Sequence, residues 1–293
     1  MGSTGGGLSV DVYTSPLVAL PAGGYFSPTT SALVTGPTEA LLVDTQYRAQ
    51  AVDDIIEIID ASGRKLVAIF VTHGHFDHYF GLQRLLARYP DARPVALPAI
   101  ADAIRNRLDS ERARWRSAFG DDILDNEVIP ASLNDASISI DGHMVRAIEV
   151  PQADISPASI LHIPPLDTVV AGDAIYNGVH AFLGETSPGQ WSDWAATVQF
   201  ISSLSPSRVI AGHKRPELDD GSRCVAETLS YLTAFADGFA RSSTARELVT
   251  RMQAQFPHHE NVSALVLSSV TAFNNRTGPS SPSPHRTYPE EVG

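Results

Sequence analysis

Apolar residues fall along the chain in two rhythms, short continuous runs and stripes at helical spacing. Leu17 to Leu20 and Ala32 to Thr35 flank a Pro/Gly/Ser-rich stretch, and Ala40 to Val43 follows the turn-like pair Gly36-Pro37, which predicts an opening antiparallel meander. Ile55, Ile56, Ile58 and Ile59 then recur at near-helical spacing, with Gly63 placed to cap the helix. Leu66 to Val71 is continuously apolar, the mark of a strand buried on both faces. Past a histidine-rich stretch, Leu82, Leu85, Leu86 and Tyr89 share one helical face, and Pro90 helps to end that helix. The histidines thus occupy a strand-to-helix loop at the carboxyl end of a buried strand, where open α/β sheets place their ligands.

Ala99 to Phe119 has a helical pattern rich in arginine, and Ala136 to Val150 alternates as two strands turning at Asp141-Gly142. Ile160 to Ile163, Thr168 to Ala171 and Val209 to Ala211 are further strands, the last two running into Gly172-Asp173 and Gly212-His213. Between them Trp191, Trp194, Ala195, Val198, Ile201 and Leu204 suit one amphipathic helix, and helical patterns resume at Leu229 to Phe239 and Ala245 to Phe256. No internal repeat or second domain is visible. The pattern predicts a flexible start at 1–8, a single α/β domain at 9–273 and a Pro/Ser/Thr-rich disordered tail at 274–293.

Composition narrows the function. The chain has 293 residues and 43% hydrophobic content, enough for a substantial core. A formal net charge of -12 with no local basic patch argues against a nucleic-acid partner and for a small-molecule substrate. Cys224 is the sole cysteine, so an intrachain disulfide and a thiolate-rich structural zinc site are both excluded. The opening residues lack a basic, then apolar, leader, and no apolar run approaches the ~20 residues of a membrane span, so a cytoplasmic protein with no membrane partner is expected.

The chemistry concentrates in Thr72-His73-Gly74-His75-Phe76-Asp77-His78. Imidazole nitrogen and carboxylate oxygen are ligands that borderline divalent metals accept, and a loop lets neighbouring side chains turn toward different ions. Gly74 is expected where the backbone bends closely. The segment resembles the H-x-H-x-D-H signature of the metallo-β-lactamase superfamily, which includes glyoxalase II-like thioesterases and N-acyl-homoserine lactonases. The resemblance implies a four-layer αβ/βα sandwich holding two divalent metal ions, most simply zinc. His73 and His75 would bind the first ion, Asp77 and His78 the second, Asp173 would bridge them, and His213 would complete the second site.

The family's usual G-H-T loop is replaced here by Pro151-Gln152-Ala153-Asp154-Ile155-Ser156. Either Asp154 or Gln152 stands in for the missing histidine, and ligand chemistry favours the carboxylate. Two histidines and a carboxylate suit iron(II) or manganese(II) at the first site as well as zinc. Tyr176, three residues after Asp173, has the spacing of the lactonase branch, whose tyrosine donates to a developing oxyanion. Asp77 and Tyr176 are therefore the catalytic candidates. The same stretch carries His180, which is equally a loop histidine, while His143 and His162 fall in strand patterns, and His258, His259 and His285 fall in later loops or the tail. The expected activity is hydrolysis of an ester, lactone or thioester by metal-activated water. Its rivals are a metal-dependent lyase or cyclase, an iron oxygenase, and a non-catalytic metal-containing protein that binds a small ligand.

Overall fold

The computed structural model describes residues 7–21 and 23–276, and these form two sheets packed face to face with helices on both outer surfaces. β1 (Ser9–Thr14) precedes a small hairpin of β2 (Val18–Ala19) and β3 (Tyr25–Phe26). β4 (Thr30–Thr35), β5 (Glu39–Val43), β6 (Lys65–Phe70), β7 (Arg93–Ala96) and β8 (Ala131–Ser132) join β1 in a six-stranded sheet of order β1-β4-β5-β6-β7-β8. Its first three strands pair antiparallel and β5 to β8 pair parallel. Helices α1 (Ala49–Ser62), α2 (Phe76–Tyr79), α3 (Leu82–Arg88) and α4 (Pro98–Phe119) belong to this half. Gly63 caps α1 in the left-handed conformation, φ 62°, as the sequence suggests.

The second sheet, of order β13-β12-β11-β10-β9, is built from β9 (Ser137–Ile140), β10 (His143–Val150), β11 (Ala158–Ile163), β12 (Thr168–Asn177) and β13 (Arg208–Lys214). Helices α5 (Pro188–Ser203), α6 (Arg223–Arg241), α7 (Ala245–Gln255) and α8 (Val262–Arg276) complete the chain's described part. Side chains alternate across a strand, and that alternation assigns the layers. Leu161, Val170 and Ile210 join the core shared with the first sheet, whereas Ile160, Val169, Ala171, Val209 and Ala211 pack with Trp194, Phe235 and Leu248 of the outer helices. The order helix, sheet, sheet, helix is the four-layer αβ/βα sandwich expected.

Several boundaries differ from the sequence pattern. β1 is an extra strand paired antiparallel to β4, and β2 leaves the meander to form its own hairpin with β3. β12 runs on to Asn177, so Asp173 and Tyr176 lie within a strand rather than after one, and β13 likewise includes His213. Register shifts between β12 and β13 at Gly172 accommodate that extension. α8 continues through Asn274 to Arg276, so the expected tail does not begin at 274, and Leu8 in the expected flexible start is buried. The rest of the predicted tail and residues 1–6 lie outside the described residues.

Candidate metal centre

β6 delivers the histidine-rich loop to the edge where the two sheets meet. The backbone of His73 bridges to Ala158, and both the amide and the hydroxyl of Ser159 donate to the Thr72 carbonyl, at 2.9 and 2.8 Å. β10 leads into the loop carrying Asp154, β12 carries Asp173 and Tyr176, and β13 carries His213. Gly74 does not mark the close approach, because a Cβ there would meet Ile104 at an ordinary 3.6 Å. The tight point is Gly212, where a Cβ would lie 2.1 Å from Asp173 Oδ1 and 2.5 Å from the Gly172 backbone, so only glycine lets β13 come this near to β12.

Seven side chains expected from the sequence converge, all nine-tenths or more buried. His73, His75, Asp154 and Asp173 form one group able to hold a metal ion, and Asp77, His78 and His213 form a second. His75 Nδ1 lies 2.7 Å from Asp154 Oδ2, and His73 Nε2 lies 3.9 Å from Asp154 Oδ1 and 3.7 Å from Asp173 Oδ2. Asp173 also reaches the second group, with Oδ1 3.2 Å from His78 Nε2 and Oδ2 3.0 Å from His213 Nε2. Asp77 Oδ2 stands 3.4 Å from His78 Nε2 and 3.5 Å from His213 Nε2. Gln152 is not part of the cluster, since its amide donates to the Ala153 carbonyl and accepts from Gln190.

The outer nitrogens determine which atoms face inward. His213 Nδ1 lies 2.8 Å from the Pro28 carbonyl, which only accepts, so Nδ1 carries a proton and Nε2 is turned inward toward Asp77 and Asp173. His78 Nδ1 is held the same way by the Asp44 carboxylate at 2.8 Å. Thr72 donates its hydroxyl to Asp44 and so accepts from His73 Nδ1 at 3.0 Å. Nε2 of His73 and of His78, together with Asp154 Oδ1 and Asp173 Oδ1, are buried without any hydrogen-bond partner. Such lone pairs, converging without partners, match the donor set of a divalent cation, and the outer hydrogen bonds orient the rings for it.

His75 is turned the other way: Nδ1 faces Asp154, while Nε2 faces Glu185 Oε1 at 3.6 Å. Glu185 is in turn gripped by Arg107 at 2.9 Å and lies 3.6 Å from Arg114, both on α4. Burial opposes ionisation of Glu185, but His75 and Arg107 overcome it and bring its pKa down to about 2. Burial and the neighbouring carboxylate Asp173 push Asp154 up to about 7 against the pull of His75. The Tyr176 hydroxyl donates to Asp173 Oδ2 at 3.0 Å, and its ring stacks on His213. Burial, then Asp154 and Asp173, hold that phenol well above its ordinary pKa, so it remains a donor.

Asp44 and Glu185 were not singled out by sequence. Asp44 directly follows the apolar run Ala40 to Val43, a strand-end carboxylate like the ligands themselves, which is the one signal available. His180 does not join the site; its Nδ1 meets the Tyr231 hydroxyl at 3.0 Å, and its ring lies against His259. Trp191 and Trp194 are buried core residues whose indoles donate to Thr186 and to the Ala174 carbonyl. His75, Asp77, Asp154, Asp173 and His213 floor a cleft that Tyr176 and Glu185 also line.

A four-layer sandwich with two imidazole–carboxylate groups at one sheet edge defines a class of proteins built to hold metal ions. The chain belongs to the metallo-β-lactamase superfamily, whose profile matches residues 24–213. That superfamily binds two metal ions and consists largely of metallo-hydrolases. Among solved structures, a metallo-β-lactamase family protein from Thermus thermophilus shares 19% identity, covering 90% of this chain and 93% of that chain, with a TM-score of 0.60. A metallo-β-lactamase from Pontibacter korlensis shares 16% identity over 77% of this chain and 99% of that one, with a TM-score of 0.57. No curated protein matches the chain in sequence. No helix among the described residues is long and apolar enough to cross a membrane.

Proposed function

We propose that the protein is a metal-dependent hydrolase of a small ester, lactone or thioester. The observation that carries this reading is the set of buried imidazole and carboxylate atoms left without partners around Asp173. In this reading His73, His75 and Asp154 hold the first ion, Asp77, His78 and His213 hold the second, and Asp173 lies between both. Ions bound there would supply a hydrolytic nucleophile from water at neutral pH and polarise the substrate carbonyl. Zinc suits all these ligands, and iron or manganese also suits the first site.

The protein's own groups have separate tasks. Tyr176, kept protonated, donates its hydroxyl to the oxygen that gains charge as the carbonyl is attacked. Asp77 is fixed by a 2.9 Å hydrogen bond from Thr29, and Asp44 and Glu185 hold the rings of His78 and His75. In the net reaction, water's oxygen forms a bond to the acyl carbon, the bond to the alcohol or thiol breaks, and the leaving group takes up a proton. A second reading, an iron(II) oxygenase, draws on the set of two histidines and one carboxylate at the first site. Metal analysis of protein purified without added metal, joined to a panel of esters, thioesters and lactones, tests both. Turnover without dioxygen consumption is expected; full occupancy with no hydrolysis of any panel member would overturn the hydrolase reading.

A further inference from the structure

Above the cluster, the cleft changes character. Its walls are Leu20 and Phe26 from the hairpin region, Trp115 from α4, Phe182, and Ala264 and Leu267 from α8. Two of the exposed large apolar side chains, Tyr25 at 51% and Leu267 at 46%, also line it. The hairpin and α8 are tied to each other: Ser263 Oγ accepts from the Tyr25 amide at 2.9 Å, and Asn261 Nδ2 donates to Ser27 Oγ at 2.6 Å. Apolar side chains thus line the cleft above the carboxylates and imidazoles, and polar bonds fix the hairpin region against the start of α8.

Charge points the same way. No lysine or arginine lines the cleft among the described residues. Arg107 and Arg114 turn to Glu185, with Arg114 also over the Trp115 ring, and Lys214, beside His213, is buried against Asp220 and the Leu218 carbonyl. Two divalent cations would be balanced by Asp77, Asp154, Asp173 and the buried Asp44 behind His78, with Glu185 already paired to arginine, which leaves nothing to attract a second anionic group on the substrate.

We infer that the cleft selects an uncharged substrate carrying an extended apolar acyl or aromatic group, laid between the hairpin and α8 with Tyr25 and Leu267 at its far end. This rests on the hydrolase reading for what happens at the floor, whereas the apolar binding itself does not. Burial of successive methylenes in such a channel raises kcat/KM about twofold to fourfold each over the first several carbons.

The test takes whichever ester, thioester or lactone scaffold is turned over and lengthens its acyl chain, with a matched set ending in a carboxylate. In parallel, the uncharged fluorophore N-phenyl-1-naphthylamine is bound to the full metal-loaded chain and displaced with 1-decanol. Expected are a rising chain-length series, at least about tenfold poorer turnover of the carboxylate-ended set, and decanol-sensitive fluorescence weakened in Leu267→Asp. Leu267→Asp should also cut the ratio of long-chain to short-chain turnover about tenfold. A flat series, equal use of carboxylate-ended chains, or fluorophore binding untouched by Leu267→Asp would overturn the inference. Decanol-sensitive binding without turnover of any scaffold would instead uphold the apolar cleft and sink the hydrolase reading.

Discussion

His73, His75, His78 and His213 converge on carboxylates, whereas His180 and His259 pack on aromatic rings. In the first cluster Nδ1 of His73, His78 and His213 is oriented by an outer hydrogen bond, His75 Nε2 lies 3.6 Å from Glu185, and the other nitrogen of each ring faces the Asp77, Asp154 and Asp173 oxygens. In the second, His259 stacks on Tyr231 and lies against Phe256, and neither ring is ion-paired with a carboxylate among the described residues. Burial lowers both His180 and His259 to about 4, with the neighbouring His259 acting on the first and Arg215 and His258 on the second, and among the described residues neither ring is ion-paired with a carboxylate that would reverse it. The same side chain thus becomes a candidate ligand in one place and neutral packing in the other, and the difference is the carboxylates between the rings.

The comparison breaks most sharply by removing a ligand. His73→Ala or His75→Ala should lose first-site metal and more activity than the roughly 10–100-fold associated with outer partners; full metal content with near-normal turnover in both would end the assignment. Asp154→Asn, which keeps shape and removes charge, should weaken first-site metal binding substantially, measured by chelator competition, while Gln152→Ala leaves it intact. The reverse pattern would move the ligand to Gln152.

Smaller effects sharpen the picture. Tyr176→Phe should lower kcat about a hundredfold with metal content unchanged, so an unaltered rate with chemistry limiting would return the ring to a packing role. Glu185→Gln retains an acceptor for His75 but loses the charge, and should weaken metal binding about tenfold, with Glu185→Ala worse; identical affinities in all three proteins would exclude Glu185 as a positioning residue. The smallest effect belongs to the aromatic cluster. His180 and His259 titrate near 6.5 when unfolded and near 4 when folded, so between those values the unfolded chain binds more protons. Stability is fully present above about pH 6.5 and falls as pH drops toward 4. Melting curves of His259→Gln should show a shallower decline across that window, and a slope identical to the parent's would count against the neutral, half-buried state.

Most of the metal centre was legible because its residues sit together in one loop or directly after apolar runs. The choice between Asp154 and Gln152 was narrowed by chemistry, and the loop after β10 places Asp154, not Gln152, among the converging side chains. Asp44 and Glu185 were hidden for a different reason: each lies beside a histidine far away in sequence, Asp44's place after Ala40 to Val43 was its only mark, and Glu185 sits in no distinctive pattern. β1 escaped notice as a half-exposed edge strand in which polar residues alternate with apolar ones. α8 was obscured because Val262, Val266, Leu267 and Val270 face solvent and blur its stripe, and because its valines, serines and threonine are weak helix formers. Asp173 and His213 read as residues after strands since Gly172 and Gly212 look like strand ends, whereas here glycine permits two strands to touch.

The bonds from α8 to the hairpin have a consequence for the order in which the molecule assembles. A ribosome releases the chain from its N-terminus, so every residue of the metal cluster has emerged once His213 has, but Ala264 and Leu267 have not. The same boundary closes the region matched to the superfamily. The candidate ligands have therefore all emerged before the α8 part of the cleft wall, and variation in that late segment can reshape the cleft without rewriting the cluster beneath it.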